Sequence, residues 1–179
     1  MLYAALVHGA TGIAWFCADT YIAREGQVIG MHPDTPRAYR ARRAEISAEP
    51  LAASPEARAA SRRMWRTVEK LNGELAALAP AVLTPTSRIE YQVAVRGESV
   101  SKTPVRTLLK DTEGGFILLV SNVDRRPFDV RFVFKGEVAD LTVLFEERSA
   151  PKAKDGAWTD RLGPFGARAY RFRLVPAAG

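Results

Sequence analysis

Cysteine and histidine are almost missing from this chain: Cys17 stands alone, and His8 and His32 are the only two histidines. A single cysteine excludes an internal disulfide, and two isolated histidines give no zinc or haem spacing, so neither a metal nor another cofactor is expected. Long apolar runs are missing too. No stretch reaches the roughly 18 residues that a membrane-crossing helix needs, which argues against a membrane partner. Residues 1–18 are apolar, but they lack a basic leading region and are interrupted by His8, Gly9, Thr11 and Gly12. They read as core and not as an export signal, and a cytoplasmic location is the expectation. There is no G-x-S-x-G elbow, and neither histidine has a signalled partner, which speaks against a Ser/His/Asp hydrolase.

What is present is an ordinary globular composition: 179 residues, 47% hydrophobic and 26% charged. The formal charge is +6, carried mainly by arginine. Two denser groups occur, Arg37/Arg40/Arg42/Arg43 and Arg58/Arg62/Arg63/Arg66. The second is interleaved with Glu56 and Glu69 at helical spacing and reads as the wet face of a helix. The remaining arginines are spread through every segment, so no nucleic-acid partner is expected.

The order of the segments carries most of the information. "MLYAALVHG" reads as the last turns of a helix with Gly9 as a left-handed cap. The run Gly12-Ile13-Ala14-Trp15-Phe16-Cys17 is apolar on both faces, the pattern of a buried parallel strand. Residues 18–53, with Gly26, Gly30, Pro33, Pro36 and Pro50, read as a long irregular loop holding a short helix near Arg37 to Glu45. Ser54-Pro55-Glu56 is a helix start signal, and the helix is expected to reach Ala79 and stop at Pro80. Its apolar stripe is Met64/Trp65, Val68, Leu71, Leu75 and Leu78.

After the linker "LTPTS" the period drops to two. Ile89 to Val95, Val105 to Leu109, Phe116 to Val120, Phe128 to Phe134, Leu141 to Phe145 and Tyr170 to Leu174 alternate between turn signals such as Gly114-Gly115, Lys135-Gly136, Asp155-Gly156 and Gly163-Pro164. Six or seven such strands describe an antiparallel β-sandwich. Two domains are expected, 1–83 and 84–179.

In this order, "YAALVHGATGIAWF", "MWRTVEKLNGELAALAPAVL" and the β-rich tail with "LLVSNVDRRPFDVRFVFKG" and "WTDRLGPFGARAYRF" resemble the C-terminal end of a clan A type glycoside hydrolase, of the β-galactosidase and cellulase-like families. The resemblance implies an α/β remnant, the last strand and helix of a (β/α)8 barrel, followed by an antiparallel β-sandwich. It implies carbohydrate as the partner of the full-length enzyme. Trp15 matches the aromatic at the end of the eighth barrel strand that floors a sugar subsite, where an indole stacks on the apolar face of a pyranose. Asp19, Tyr21, Arg24 and Glu25 follow on the loop, placed to hydrogen-bond sugar hydroxyls.

The same resemblance implies that catalytic acids are lacking. Retaining hydrolysis needs two carboxyls about 5 Å apart, and in these enzymes they come from the fourth and seventh strands, both upstream of Met1. Asp19 and Glu25 share one loop without support from separate strands and are poor substitutes. No catalytic residue is therefore expected in this chain. A lone barrel strand would expose unpaired backbone along with Ile13, Trp15 and Phe16, and self-association through that strand into a homo-oligomer is the expected cover. The alternative reading is a stand-alone carbohydrate- or protein-binding sandwich. Exposed aromatic pairs on one face would favour it; Trp158 with Tyr91 or Phe165 are the only candidates, and a core role is the expectation for each.

Overall fold

The protein is described from a computed structural model that places residues 2–14, 55–96 and 104–175. The chain divides into two compact units, Met1–Ile13 with Ala77–Gly179, and Ala14–Ala76.

The first unit is the antiparallel β-sandwich that the two-residue alternation predicts. Its strands are β1 (Tyr91–Val95), β2 (Val105–Thr112), β3 (Gly115–Asn122), β4 (Phe128–Phe134), β5 (Glu137–Leu144), β6 (Ala157–Leu162) and β7 (Ala167–Val175). They form a three-stranded sheet in the order β1-β4-β6 and a four-stranded sheet in the order β2-β3-β7-β5. Every pairing between neighbours is antiparallel. In "FDVRFVF" the odd positions of the run, Phe128, Val130, Phe132 and Phe134, are all buried, while Asp129, Arg131 and Val133 face outward. Both sheets direct such residues into one core, where Phe132, Phe134, Trp158, Tyr170 and Phe172 pack ring on ring at centroid separations of 4.9 to 5.7 Å. Offset and edge contacts of this kind add to the area term that each buried ring contributes.

Strand β3 is apolar on both faces, and the reason is a second layer. Leu118 and Val120 enter the sandwich core, whereas Ile117 and Leu119, equally buried, lie on the opposite face. Helix α1 (Leu2–Val7) packs against β3, with further contact to β2 and β7, and its Leu2, Leu6 and Val7 are buried. Gly9 terminates this helix with φ +92°, the left-handed cap expected there. The strand expected over 12–17 is not found in its described part: Gly12–Ala14 are neither helix nor strand, and no described strand pairs with them. Trp15 and the rest of that run lie outside the described residues.

Helix α2 (Pro55–Val82) passes through Pro80 instead of ending before it. A proline in the last turn removes a single backbone bond, to the Ala76 carbonyl, so the helix closes one turn later through Leu83 N to Ala79 O at 3.1 Å. The expected stripe also needs correction. Val68 and Leu78 are buried, but Met64 and Trp65 are exposed, and Glu74 is buried among the stripe positions beside Lys70 at 3.8 Å. Nor is "LTPTS" a free linker. Ser87 N donates to Leu109 O at 2.9 Å, Thr86 bridges Lys110, and the buried Lys110 donates through Nζ to the Thr84 carbonyl at 2.6 Å. The chain leaving α2 is thereby fastened along the free edge of β2.

At one end of the sandwich Asn122 holds two turns together. Its Nδ2 donates to Arg126 O at 2.7 Å and Gly163 O at 2.8 Å, its Oδ1 accepts from Asp124 N at 2.9 Å, and the residue is 1% exposed. At the other end the turn at Gly156 has φ +71°, and an added Cβ would meet the Phe134 carbonyl oxygen at 2.6 Å, so only glycine is tolerated there. Replacement Asn122→Ala removes the partner of three backbone groups in a part-buried site. It is expected to cost about 3 kcal/mol, read as a lower urea midpoint by near-UV circular dichroism, since each buried bond lost costs about 1 kcal/mol or more.

Candidate functional site

Trp15, Asp19, Tyr21 and Glu25, the residues that the sequence marks for sugar binding, all lie outside the described residues, as do Cys17, Arg24 and His32. His8 sits exposed in the turn after α1. Among the described residues no group of histidine, cysteine, aspartate and glutamate is arranged to hold a metal ion. The chemistry of the sandwich is concentrated instead in two arginine-rich places that no sequence motif marks.

The first is the rim between the sheets. Asp160, on the inward face of β6, accepts a hydrogen bond from the Tyr170 hydroxyl of β7 at 2.7 Å and is paired with Arg148. Arg148 Nε donates to Glu146 Oε2 at 2.7 Å, and Arg168 Nε donates to Glu146 Oε1 at 2.9 Å. Arg168 Nη1 donates to the Arg161 carbonyl at 2.5 Å. The chain is turned into this arrangement by Phe145, which follows β5 with φ +64°, a left-handed conformation that is uncommon for a bulky residue. Both carboxylates have guanidinium or hydroxyl donors on them, and the group works as a staple. Burial, and then the hydrogen bond to Asp160, push the Tyr170 phenol far above its ordinary value of 10.0.

The second place is the outer face of the β1-β4-β6 sheet. Register sets Ala94 beside Arg131 and Arg131 beside Thr159. One row further on, Arg96 donates its backbone N–H to Asp129 O at 3.2 Å, and Asp129 lies opposite Arg161. Small side chains on both sides of Arg131 leave a shallow cleft of about 330 Å³ lined by Ala94, Val95, Arg96, Asp129, Arg131 and Thr159. Asp129 holds Arg161 at 3.4 Å. The cleft contains one carboxylate, so it lacks the pair that glycoside hydrolysis requires.

Comparison with known proteins adds little at the level of sequence: no family model matches the chain, and no curated protein matches it. Among solved structures it is similar to a catalytic mutant of Gan42B, a GH42 beta-galactosidase from G. stearothermophilus, with TM-score 0.30 and 10% identity. The match covers 64% of this chain and 13% of that enzyme.

The aromatic candidates for a sugar platform are placed by the fold. Trp158 is 2% exposed and stacks on Phe134, while Tyr91 is half-buried, stacks on the same Phe134 at 5.1 Å and shares a 2.9 Å hydrogen bond with Thr107. Phe165 alone is widely exposed, at 63%. Trp158 therefore takes the core role expected of it, Tyr91 is partly in the core, and Phe165 departs from that expectation.

Tyr170 gives a pH dependence with a defined sign. Its folded-state pKa is raised, so the folded protein keeps a proton that the unfolded chain releases above about pH 10, and the stabilisation is present below that pH and lost as pH rises beyond it. Urea titrations between pH 7 and 11 are expected to give a steep fall above pH 10. In Tyr170→Phe that fall is shallower, and stability at neutral pH is lower by about 1–2 kcal/mol for the lost hydrogen bond.

Proposed function

We propose that the chain is the C-terminal portion of a glycoside hydrolase, with residues 1–83 carrying the end of its barrel and residues 84–179 forming an accessory β-sandwich that does not itself cleave the substrate. The observation that carries this reading is the direct passage from α2 into the sandwich. The end of a long helix is fastened through Thr84, Thr86 and Ser87 to the edge of β2, a junction that suits a final barrel helix running into an accessory sandwich. The chemistry agrees with an accessory role. The rim carboxylates Glu146 and Asp160 are occupied by Arg148, Arg168 and Tyr170, and the outer cleft contains Asp129 alone.

In this reading the substrate is a carbohydrate bound by the complete enzyme, with Trp15 stacking on a sugar ring and Asp19, Tyr21 and Glu25 contacting its hydroxyls. The apolar run at 12–17 is the segment that neighbouring barrel strands, or a second copy of the chain, would cover.

Two measurements test the reading. Genomic sequence upstream of Met1 is expected to continue in frame through a barrel with glutamates at two strand ends, and an in-frame stop preceding a ribosome site would overturn it. Assayed on a panel of nitrophenyl glycosides, the 179-residue chain is expected to give no turnover above buffer. Turnover that disappears in Asp19→Asn or Glu25→Gln would refute the inactive assignment.

A further inference from the structure

We infer that the outer face of the β1-β4-β6 sheet is a binding site for a carboxylate-bearing sugar, a uronate unit of an acidic glycan. The choice of a sugar rests on the proposed glycoside hydrolase reading; the choice of an anion rests on the site itself.

Register sets three rows on the outer side of this sheet: Gln92, Val133 and the buried Ala157; Ala94, Arg131 and Thr159; and, just past the end of β1, Arg96 with Asp129 and Arg161. Three guanidinium groups and one carboxylate meet there, a balance of +2. Asp129 is directed to Arg161. Arg96 and Arg131 have no acidic partner among the described residues, although cross-strand diagonal positions sit only about 7 Å apart and like charges so placed repel. Arg131 stands on β4, and Arg96 follows β1 by one residue with its N–H tied to the Asp129 carbonyl, so two forked donors lie on neighbouring segments with neither neutralised by a described acid.

A carboxylate is the ligand that this pair lacks. It accepts two parallel N–H bonds from one guanidinium and relieves the repulsion of the second. The surroundings match the rest of a uronate. Ala94 gives a flat floor without a projecting side chain, and Thr159 and Asp129 offer one hydroxyl and one acceptor at the cleft wall for ring hydroxyls. A volume of about 330 Å³ lies at the small end of ligand sites, suited to one sugar unit and open for a chain to continue past it. No aromatic platform lines it, so selectivity follows charge and not stacking.

The test is isothermal titration of the whole 179-residue chain with a galacturonate trisaccharide, the neutral galactose trisaccharide and free acetate. The acidic trisaccharide is expected to bind about tenfold or more tightly than the neutral one, with affinity falling as salt is raised. Arg131→Gln and Arg96→Gln are each expected to weaken it by about tenfold. Ala94→Phe, which fills the floor and keeps the charge, weakens it as well, and Arg171→Gln on the other sheet leaves it unchanged.

Equal binding of the acidic and neutral sugars, wild-type binding by Arg131→Gln, or an equal loss in Arg171→Gln would overturn the site. Acetate binding as tight as the uronate sugar would overturn the sugar while leaving a plain anion site. Failure here is distinct from failure of the functional reading. An upstream barrel frame with no uronate binding removes only the site, and binding without such a frame removes only the hydrolase assignment.

Discussion

The hydrogen bond from Tyr170 to Asp160 joins the two sheets at the point where the sandwich would otherwise open to water. Tyr170 stands in β7 of the larger sheet with its ring in the aromatic core, and Asp160 stands in β6, the edge strand of the smaller one. A carboxylate pointing inward from an edge strand is costly unless its oxygens find donors. Here they find the phenol and Arg148, and Arg148 and Arg168 are in turn held by Glu146. The aromatic cluster sets how far apart the sheets lie, and the charged rim fixes their lateral position. Removing either leaves the other with buried groups out of contact.

The same logic separates the inward acids of the sandwich from the outward arginines of its small sheet. Acid and base catalysis needs a carboxyl with an unoccupied oxygen near a second one. The inward acids of this body are committed to arginines. Among the described residues, Arg96 and Arg131 on the outer side of the small sheet have no acid partner, while Arg161 is held by Asp129, and the small residues Ala94 and Thr159 leave room beside Arg131. Structural polarity is used inside, and open polarity is displayed outside.

Much of the fold was legible in the residues. Alternation in "FDVRFVF" fixes which side chains of β4 enter the core, glycine turn signals mark the hairpins, and Gly9 marks the end of α1. The misread positions have identifiable causes. Pro80 falls so late in α2 that it breaks one bond and not the helix, and Met64 and Trp65 have helical spacing without burial. Lys110 and Thr84 give no sequence sign of their contact, because the partners come from segments whose adjacency exists only after β2 is laid in the sheet. The core role expected for Trp158 holds, because its strand pairs with β4 in a register that turns it inward.

Local composition therefore determined the class of the protein: a period of two over the last half of the chain and turn residues at fixed intervals. Those are properties of neighbouring residues, and the physics that reads them is local. What tertiary structure alone decided is which charges meet. Arg96, Arg131 and Thr159 come from the turn after β1, from β4 and from β6, as Glu146, Asp160 and Arg168 come from three segments, and strand order and register, set by where the apolar faces bury, bring each group together.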